Sequence, residues 1–599
     1  MRKALSLVLC LCMLLSCIGA LAEAKFTPGT YSGEGIGNNT AAPIKVDVTL
    51  SEDKIESIEI VAQDETPAIA AAALEQIPAD IVKYQSLAVD TVSGATKTSN
   101  GIIEAVKAAI AAAGIDPETL ATEIKRETED LGDRTEHTDV LVIGAGGTGL
   151  AAAMTVLQNG GKVILVEKTG HVGGSTAVSG SVVASQGTYY ADAAGIPVDH
   201  DAWLKSWKDA SESEVVIIGE DPGYPNYDRV QQYFNQVPKA VNWVEDLGIV
   251  HWVSYPIIPN STYQVPDAII GENGADPEGG YMLTDGMAAW YKENGGDLRL
   301  STKGTKLITN EAGDVIGATV EDANGAYDIY AEKGVVLATG GFAASEEMMR
   351  EYLPQFADWI DLTTSGAGST GDGMKMAVEV GGVMYDTPYV ITLGSTSRSS
   401  AAVQFTMSIN LWYRLVVNSA GERFFNEGYM PYQTTVVLSR VEDGIAWAVG
   451  DSQYRDAASL AANVDGVELV TADTIEGLAE AMGVDAATLQ ATIDRYNAIP
   501  EKGVDEDFGK AVANVTPITT APYYAVRIYV CTGGTIGGVK TNLDYQVLRE
   551  DGTPIKGLYA GGETSNREMY AYAYSSGSGV GYALASGHAI GENIMGVAK

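Results

Sequence analysis

A strand, a glycine-rich loop, a helix and a second strand follow one another in the first half of the chain and constrain its fold most strongly. The apolar strand over 139–143 runs into the loop, an Ala-rich helix follows, and the strand over 163–166 ends in Glu167. In such a unit one glycine permits the tight turn, one admits a pyrophosphate and one lets the helix pack on the strand. Here they are Gly144, Gly146 and Gly149. Glu167 stands where an acidic side chain accepts hydrogen bonds from ribose hydroxyls, so the segment predicts a parallel βαβ unit that binds a dinucleotide.

Length and charge bound the remaining possibilities. The chain has 599 residues, 46% of them apolar, so it is long enough for several domains and too apolar to be disordered. Lys and Arg number 38 against 78 Asp and Glu, which gives a formal net charge of −40. This charge argues against nucleic acid or an anionic membrane surface as a partner, because binding phosphates needs clustered cations.

Residues 1–24 have the pattern of an export signal. Two basic residues precede a short apolar core over 5–15, and 20–22 reads Ala-Leu-Ala, which fits a cleavage site. An alternative interpretation takes 14–17 as a lipobox with Cys17 lipidated, although the residue before Ser16 is not the usual small one. We therefore expect an exported protein at the cell surface or in the periplasm, either soluble or anchored through Cys17.

Cysteine and histidine are too scarce for several kinds of cofactor site. Three of the four cysteines lie in the signal, which leaves Cys531 and, if it is lipidated, Cys17. Internal disulfides are thereby excluded, and c-type haem is excluded because the chain has no C-x-x-C-H motif. The chain has five histidines, so we expect no metal site.

The first module, predicted over 25–115, combines alternating strands with helical stretches. Residues 45–50 and 55–60 alternate apolar and polar side chains and predict a hairpin. Residues 90–99 read D-T-V-S-G-A-T-K-T-S and precede an Ala-rich helix, where Ser and Thr are ordinary N-caps. On the residues alone, this segment indicates no more than a helix start.

The module resembles the FMN-binding domain of bacterial respiratory flavoproteins, because residues 90–99 match its D-x-x-S-G-A-T-x-T-S signature. The resemblance implies FMN joined covalently through its phosphate to the hydroxyl of Thr96, with Thr98 as the alternative. It also implies a flavin transferase that attaches the FMN. A helix N-terminus with free N–H groups favours a phosphate at this place. A charged linker is predicted over 116–136.

Further glycine-rich segments extend the dinucleotide pattern to the C-terminus. They contain Gly174, Ser175 and Thr176 after the second strand, Gly340 after a strand, Asp372 in G-D-G, Glu563 in A-G-G-E, and Gly579. Together they resemble the FAD-dependent family of fumarate reductases, succinate dehydrogenases and 3-ketosteroid dehydrogenases. The resemblance implies non-covalent FAD held by these residues. It also implies an α/β fold with a Rossmann-type FAD-binding domain over 137–384 and 526–599, an inserted α+β capping domain over 385–525, and the small α+β FMN-binding domain before them.

The positions that carry charged substrate groups in the fumarate reductases hold other residues here. By the spacing of the family motifs, the proton-relay Glu and Arg fall on Met407 and Asn410, the proton-donating Arg on Pro431, and the substrate Arg near Ala573. No His occurs in the two segments where the family has one, 389–392 and 531–535. We therefore expect that this protein does not reduce fumarate by the usual mechanism.

Tyrosines stand where those charges are missing. They are Tyr570, Tyr572 and Tyr574 in one short segment, and Tyr432 beside the missing proton donor. A neutral phenol can donate to a carbonyl oxygen or protonate a carbanion, whereas burying a carboxylate without a cation costs several kcal/mol. The segment is similar to one that holds a carbonyl in the 3-ketosteroid dehydrogenases, although its spacing differs. The alternative is that these tyrosines are ordinary wall residues.

Two arginines remain as candidates for binding a single carboxylate through a bidentate pair. They are Arg567, shortly after Glu563, and Arg414. The alternative for Arg567 is an ordinary salt bridge with Glu563 or Glu568.

These observations predict an exported flavoprotein reductase of an activated C=C bond in a small enone or enoate, neutral or mono-anionic. The hydride would come from FAD N5 and the proton from a tyrosine. The electrons would arrive through FMN from a donor protein or a quinol-linked membrane chain. The alternatives are a 3-ketosteroid-type dehydrogenase, a fumarate reductase-like enzyme and an electron-transfer flavoprotein, although a carrier needs no substrate cap.

Overall fold

The protein is described from a computed structural model. It covers residues 26–597 except 38, 40–41, 66, 93–94, 123, 125–133, 259–260, 267–269, 272–273, 276–278, 357–362, 396–413, 429–430, 442–443 and 454–466. The predicted export signal and Cys17 therefore lie outside the described residues, as do Met407 and Asn410. The chain divides into two compact units, Met1–Glu127 and Thr128–Lys599.

The first unit is a small antiparallel sheet covered by helices. Its strands β1 (Gly29–Gly35), β2 (Ile44–Leu50) and β3 (Ile55–Ala62) lie in that order, and its helices are α1 (Pro67–Tyr84) and α2 (Thr96–Ala112). Alternate side chains of β2, including Val46 and Val48, are fully buried, as the period-two pattern predicts. The helix α2 lies close against β1, where a Cβ on Gly33 would come within 2.0 Å of the Ala105 carbonyl oxygen.

The second unit alternates strands and helices along the chain. Its strands are β4 (Thr135–Ile143), β5 (Val163–Val166), β6 (Val183–Ser185), β7 (Trp252–Ile258), β8 (Ser261–Pro266), β9 (Ile270–Gly271), β10 (Gly274–Ala275), β11 (Asp297–Arg299), β12 (Lys303–Thr309), β13 (Val315–Asp322), β14 (Gly325–Leu337), β15 (Tyr389–Ser395), β16 (Leu415–Asn418), β17 (Ala446–Gly450), β18 (Leu469–Ala472), β19 (Tyr523–Ile536), β20 (Gln546–Leu548) and β21 (Pro554–Ala560). Its helices are α3 (Gly147–Gln158), α4 (Gly174–Ala177), α5 (Tyr189–Ala193), α6 (His200–Ile218), α7 (Tyr227–Asp246), α8 (Gly279–Glu293), α9 (Glu346–Tyr352), α10 (Asp372–Glu379), α11 (Pro431–Leu438), α12 (Ile475–Met482), α13 (Ala486–Asn497), α14 (Ile499–Lys502) and α15 (Ser578–Met595).

The main sheet of this unit has eight strands. Its central order is β11-β5-β4-β14-β13-β12, and β21 pairs with β14 and β20. The pairs β11–β5, β5–β4, β4–β14 and β14–β21 are parallel. The carboxyl ends of these strands therefore meet at one edge, where ligands bind in sheets of this type. The predicted α/β class with a Rossmann-type βαβ unit is confirmed.

A second sheet is inserted between the parts of the first. Its order is β15-β19-β17-β16, with β18 also paired to β19, and every pairing is antiparallel. Helices α12 and α13 cover it, and their apolar residues Leu478 and Ile493 share one core with Trp447 of β17. In the part of the chain that the structure describes, no helix is long and apolar enough to cross a membrane.

Candidate flavin and substrate site

The glycine loop connects β4 to α3 and has the backbone that glycine alone adopts easily. Gly144 has a φ of +101°, and a Cβ there would lie 2.3 Å from the Ala338 carbonyl oxygen. A Cβ on Gly149 would lie 1.8 Å from the Gly144 carbonyl oxygen, so the loop itself, more than the strand, requires this glycine. At Gly146 a Cβ would meet only the Gly173 carbonyl oxygen, at 3.5 Å. The loop is therefore open on the side of Gly146, at the start of a helix where an anion is favoured.

Glu167 ends β5 and is bonded to the glycine loop. One carboxylate oxygen accepts the backbone N–H of Ala145 at 2.9 Å, and the other accepts both the N–H and the hydroxyl of Thr169 at 2.9 Å. These bonds fix the loop against the end of the neighbouring strand. A carboxylate oxygen has further lone pairs, so this arrangement is compatible with the predicted ribose contact.

The residues Gly174, Ser175 and Thr176 form the short helix α4 and tie the loop to a distant segment. The Thr176 hydroxyl accepts the N–H of Gly147 at 3.3 Å. The Ser175 hydroxyl lies 3.1 Å from that of Ser365 and 3.2 Å from that of Ser369, two residues that the sequence analysis missed. Small hydroxyl residues in a loop carry no periodic signal, so no sequence pattern indicated them.

Glu563 and Gly340 lie at the same edge of the sheet, after β21 and β14. Glu563 accepts the N–H of Thr535 at 2.6 Å and its hydroxyl at 3.1 Å. Burial raises the pKa of Glu563 to about 6, although the bonds from Thr535 oppose the rise. Gly340 has a φ of +71°, and its carbonyl oxygen accepts the hydroxyl of Thr564 at 3.1 Å. Hydrogen bonds with Thr535 and Thr564 therefore hold Glu563 and Gly340 at this edge of the sheet.

Asp372 begins α10 and is bound to cations of this chain. Lys168 Nζ lies 2.6 Å from one carboxylate oxygen, and Lys303 Nζ lies 3.7 Å from the other. Burial pushes the pKa of Asp372 upwards, but the hydrogen bonds from Lys168 and Thr370 and the charges of Lys168 and Lys303 together hold the pKa below its usual value. Asp372 is therefore ionised and already paired.

A dinucleotide fits this edge of the sheet. The hydroxyl of Thr339, directly after β14, is buried without a hydrogen-bond partner among the described residues, whereas buried polar groups normally have one. The Cα of Thr339 lies 3.1 Å from a Cβ placed on Gly144, but its hydroxyl oxygen lies 2.3 Å from a Cβ placed on Gly373, so the hydroxyl faces the start of α10. The open side of Gly146, at the start of α3, is what a bound pyrophosphate requires.

The three tyrosines of the 570–574 segment lie in three different environments. Tyr570 is fully enclosed, stacked on Trp207 with ring centroids 6.2 Å apart, and its hydroxyl lies 2.8 Å from that of Ser578. Burial raises the pKa of Tyr570 above its ordinary value. This placement favours a wall role for Tyr570.

Tyr572 is buried between two parts of the second unit. Its ring packs edge-on against Tyr389 of β15 with centroids 5.1 Å apart, and its hydroxyl donates to the Glu220 carbonyl oxygen at 3.1 Å. Arg440, which follows α11, hydrogen-bonds Tyr389 and acts to lower the tyrosine pKa, although burial raises that pKa by more. Arg440 is an exposed cation that the sequence analysis missed, because no family motif reaches it.

Tyr574 is half-buried and lies at the start of α15. Its hydroxyl oxygen accepts the backbone N–H of Gly579 at 3.1 Å. A hydroxyl that accepts a hydrogen bond still has its own proton to give. The positive end of a helix also favours the phenolate that remains after the proton has left. Of the three tyrosines, Tyr574 therefore has the surroundings best suited to an acid.

Arg567 is completely enclosed and has no carboxylate partner among the described residues. Its guanidinium donates to the carbonyl oxygens of Thr387 at 2.8 Å, Tyr570 at 2.6 Å and Ala571 at 3.1 Å. It also lies over the ring of Tyr224, 4.2 Å from the centroid. Burial lowers the pKa of Arg567 to about 10. The salt-bridge interpretation is wrong for this side chain, and the enclosure disfavours contact with a substrate carboxylate.

The remaining predicted residues add little to the description of the substrate site. Glu568, the suggested partner of Arg567, pairs instead with Arg229 at 3.0 Å. Arg414 lies at the start of β16, where its carbonyl oxygen accepts Lys510 Nζ at 2.7 Å. Tyr432 falls within α11, but its side chain lies outside the described residues.

A glycine loop without a side-chain cap, between the first strand and the helix of a parallel βαβ unit, is typical of a dinucleotide-binding protein. Comparison with known families agrees. The chain belongs to the family described as FAD binding domain, which matches residues 139–580, and the FMN-binding domain matches residues 40–111. It is therefore a flavin-dependent oxidoreductase with two flavin-binding domains.

Individual relatives are similar over most of the chain. Urocanate reductase of Eggerthella lenta is 30% identical over 554 residues, which cover 90% of this chain and 88% of the relative. NADH:acrylate oxidoreductase of Vibrio harveyi is 28% identical over 90% of this chain, but this chain covers only 58% of that protein.

Solved structures agree on the fold. An open conformation of a flavocytochrome c3 fumarate reductase is 27% identical, with a TM-score of 0.61 over 79% of this chain and 82% of that one. A 3-ketosteroid-Δ4-(5α)-dehydrogenase of Rhodococcus jostii is 22% identical, with a TM-score of 0.64 over 79% of this chain and 100% of that one. The second likeness concerns the fold alone.

Proposed function

We propose that this protein reduces the C=C bond of a small α,β-unsaturated carbonyl compound that is neutral or carries one carboxylate. The observation that carries the proposal is Tyr574, whose hydroxyl accepts the N–H of Gly579 at the start of α15. Support comes also from relatives whose names specify urocanate, acrylate and fumarate, all of them alkenes conjugated to a carboxylate.

In this proposal Tyr574 gives its proton to the carbon next to the carbonyl group. FAD held at the glycine loop would supply the hydride for the other carbon of the double bond, so that one hydride and one proton together saturate it. The N–H of Gly579 and the helix dipole behind it stabilise the phenolate that Tyr574 becomes. Tyr570 and Trp207 form the wall that keeps this segment dry, which strengthens the bonds within it.

The distribution of cations favours one carboxylate over two. The guanidinium of Arg567 donates three hydrogen bonds to carbonyl oxygens of this chain and is enclosed. Arg440 is exposed and lies near the hydroxyls of Tyr389 and Tyr572. One cation of this kind suits a mono-anionic substrate, because a second carboxylate without a partner would cost several kcal/mol to desolvate.

We also propose that FMN is attached covalently to Thr96 by a flavin transferase and passes electrons to the FAD. Thr96 is exposed in the first turn of α2, and the residue before it, Ala95, makes no side-chain cap there. Thr98, the alternative, is buried and donates its hydroxyl to the carboxylate of Glu65. An attacking enzyme needs an accessible hydroxyl, so the exposure favours Thr96.

Export remains a proposal that rests on the signal pattern over 1–24. An exported protein cannot draw on cytosolic NADH directly, so a donor protein or a quinol-linked membrane chain would supply its electrons. Fractionation of cells and the mass of the mature N-terminus test this. An unprocessed Met1 in the cytosol would contradict it, and a lipidated Cys17 would identify the anchored form.

The experiment that tests the activity is reoxidation of the chemically reduced protein by a panel of acceptors. We expect fast reoxidation by an enone or a mono-carboxylic enoate and slow reoxidation by fumarate. Fumarate as the fastest acceptor would overturn the assignment of substrate charge. Exchange with a redox protein but with no alkene would show a carrier. Reduction of the oxidised protein by a saturated ketone that is faster than reoxidation of the reduced protein by the matching enone would indicate a dehydrogenase.

A further inference from the structure

Glu214 is a buried carboxylate that the proposed reaction does not use. It lies near the end of α6, is 5% exposed, and has no ion-pair partner in the described part of the chain. One of its oxygens accepts two consecutive backbone N–H groups, those of Tyr572 at 3.1 Å and Ala573 at 2.9 Å. Glu214, on a remote helix, therefore holds the N–H groups of the tyrosine segment, next to the carbonyl oxygens that Arg567 holds.

A carboxylate is a costly choice for this place. Burial raises the pKa of Glu214 to about 7, while the two backbone bonds act to lower it, and no charged side chain contributes. A neutral acceptor would satisfy the same N–H groups without desolvating a charge. The benefit of the charge is strength, because hydrogen bonds to an ionised acceptor are about twice as strong as neutral ones.

Two bonds to one oxygen fix two successive peptide groups. These peptide groups flank the Cα of Tyr572, and the second one ends at the Cα of Ala573, one peptide group before the Cα of Tyr574. The other end of the Tyr574 side chain is held by Gly579. Catalytic groups need to be held within about 0.5 Å of their productive position, and here the backbone just before Tyr574 and the hydroxyl at the end of its side chain are both held.

We propose that Glu214 is the positioning residue of the candidate acid, holding the backbone of Tyr572 and Ala573 so that Tyr574 points at the substrate. The inference rests on the proposed function for its effect on turnover. Its structural part, the protection of two named backbone amides, is independent of that function.

Two substitutions and one matched control test it in the FAD-loaded full chain. Glu214→Ala removes the acceptor, Glu214→Gln keeps an oxygen without the charge, and Glu212→Gln changes an exposed carboxylate on the same helix. Hydrogen exchange of the peptide that contains Tyr572 and Ala573 is measured together with kcat and KM for the best alkene.

We expect Glu214→Ala to speed exchange of that peptide at least tenfold. We also expect it to lower kcat at least tenfold with KM within about twofold and the flavin spectrum unchanged. Glu214→Gln keeps a neutral acceptor, so its protection and kcat should match those of the wild type below pH 7, while Glu212→Gln should match the wild type at every pH. Wild-type exchange and kcat in Glu214→Ala would overturn the inference.

The pH profile separates positioning from a purely structural role. The wild-type kcat should rise as pH passes through about 7, where Glu214 ionises, and Glu214→Gln should lose this rise. The titratable groups facing Glu214 are Tyr227, Tyr389 and Tyr572, and burial raises the pKa of each, so they do not titrate in this range. Arg440 is the charged side chain that lies near Tyr389 and Tyr572.

The two proposals fail in different ways. If the wild type reduces no alkene, the proposed function is overturned, while faster exchange in Glu214→Ala would still support the anchor. If Glu214→Ala does not fold, Glu214→Gln decides, because an unchanged pH rise in that variant would overturn the positioning role.

Discussion

The two units present their candidate flavin sites in opposite ways. In the first unit one exposed hydroxyl, that of Thr96, stands at the start of α2. In the second unit the site is a stretch of backbone at the edge of the main sheet, around Gly144 and Gly146. A site that depends on one exposed atom can be lost without any effect on the fold. A site made of backbone can be blocked only by adding atoms or by moving the chain.

The largest expected effect is at the exposed hydroxyl. Thr96→Val, coexpressed with a flavin transferase, should carry no covalent FMN, because the attachment needs this oxygen. Thr98→Val should still carry FMN, although losing the buried bond to Glu65 should destabilise the unit by about 1–3 kcal/mol. The mass of the peptide over 90–99 gives the answer in both variants. FMN retained on Thr96→Val and lost from Thr98→Val would reverse the assignment.

The backbone site should respond to the smallest possible addition. Gly146→Ala should fold, because a Cβ there meets only one atom, at 3.5 Å, and yet it should purify with little FAD, because the methyl group occupies the open side of the loop. Gly180→Ala is the control, since a Cβ there meets only Val182 at 3.9 Å. Flavin absorbance and the thermal midpoint are measured for both. Full FAD content in Gly146→Ala would place the cofactor elsewhere.

Removing single hydroxyls should distinguish two tyrosines of identical chemistry. Tyr574→Phe should slow alkene reduction about a hundredfold, the scale of a general acid, without releasing FAD. Tyr570→Phe should stay within about fivefold of the wild type and lose about 1 kcal/mol of stability, because its hydroxyl only bonds Ser578. Single-turnover reoxidation checks both. Equal rates in the two variants would show that Tyr574 is an ordinary wall residue and not the acid.

The smallest effect on flavin content and turnover concerns pH and belongs to the interior of the second unit. The folded-state pKa of Glu214 is raised to about 7, so ionisation costs stability as pH rises from about 4.5 to 7 and the full cost is present above 7. Glu214→Gln avoids this cost. Its unfolding free energy should gain up to about 3 kcal/mol on the wild type across that range. Thermal midpoints at several pH values check this, and a constant difference would contradict it.

How far the sequence predicts each region follows from what the region is made of. The glycine loop could be predicted because its requirements are local: positive φ at Gly144 and no room for a Cβ at Gly149. The tyrosine segment could be located but not interpreted. Its neighbours come from far along the chain, and Glu214 is 358 positions away from Tyr572.

Arg567 is a second example of a residue whose contacts could not be predicted from the sequence. A sequence can indicate that an arginine is near a glycine-rich turn, but not that three carbonyl oxygens of its own chain take its donors. Backbone acceptors cannot be inferred from residue types, because every residue has a carbonyl oxygen. The expected pairing with a carboxylate failed because Glu568 has a nearer cation, Arg229.

The same guanidinium has a mechanical consequence. It joins Thr387, just before β15 leads into the inserted sheet, to Tyr570 and Ala571 at the start of the tyrosine segment. Thr387 itself has a φ of +50°, an unusual backbone for a β-branched residue. Arg567 thus links the start of the inserted sheet to the tyrosine segment by hydrogen bonds. If the inserted sheet rotates about the start of β15, it must either move the tyrosine segment with it or leave the buried Arg567 guanidinium with fewer hydrogen-bond acceptors.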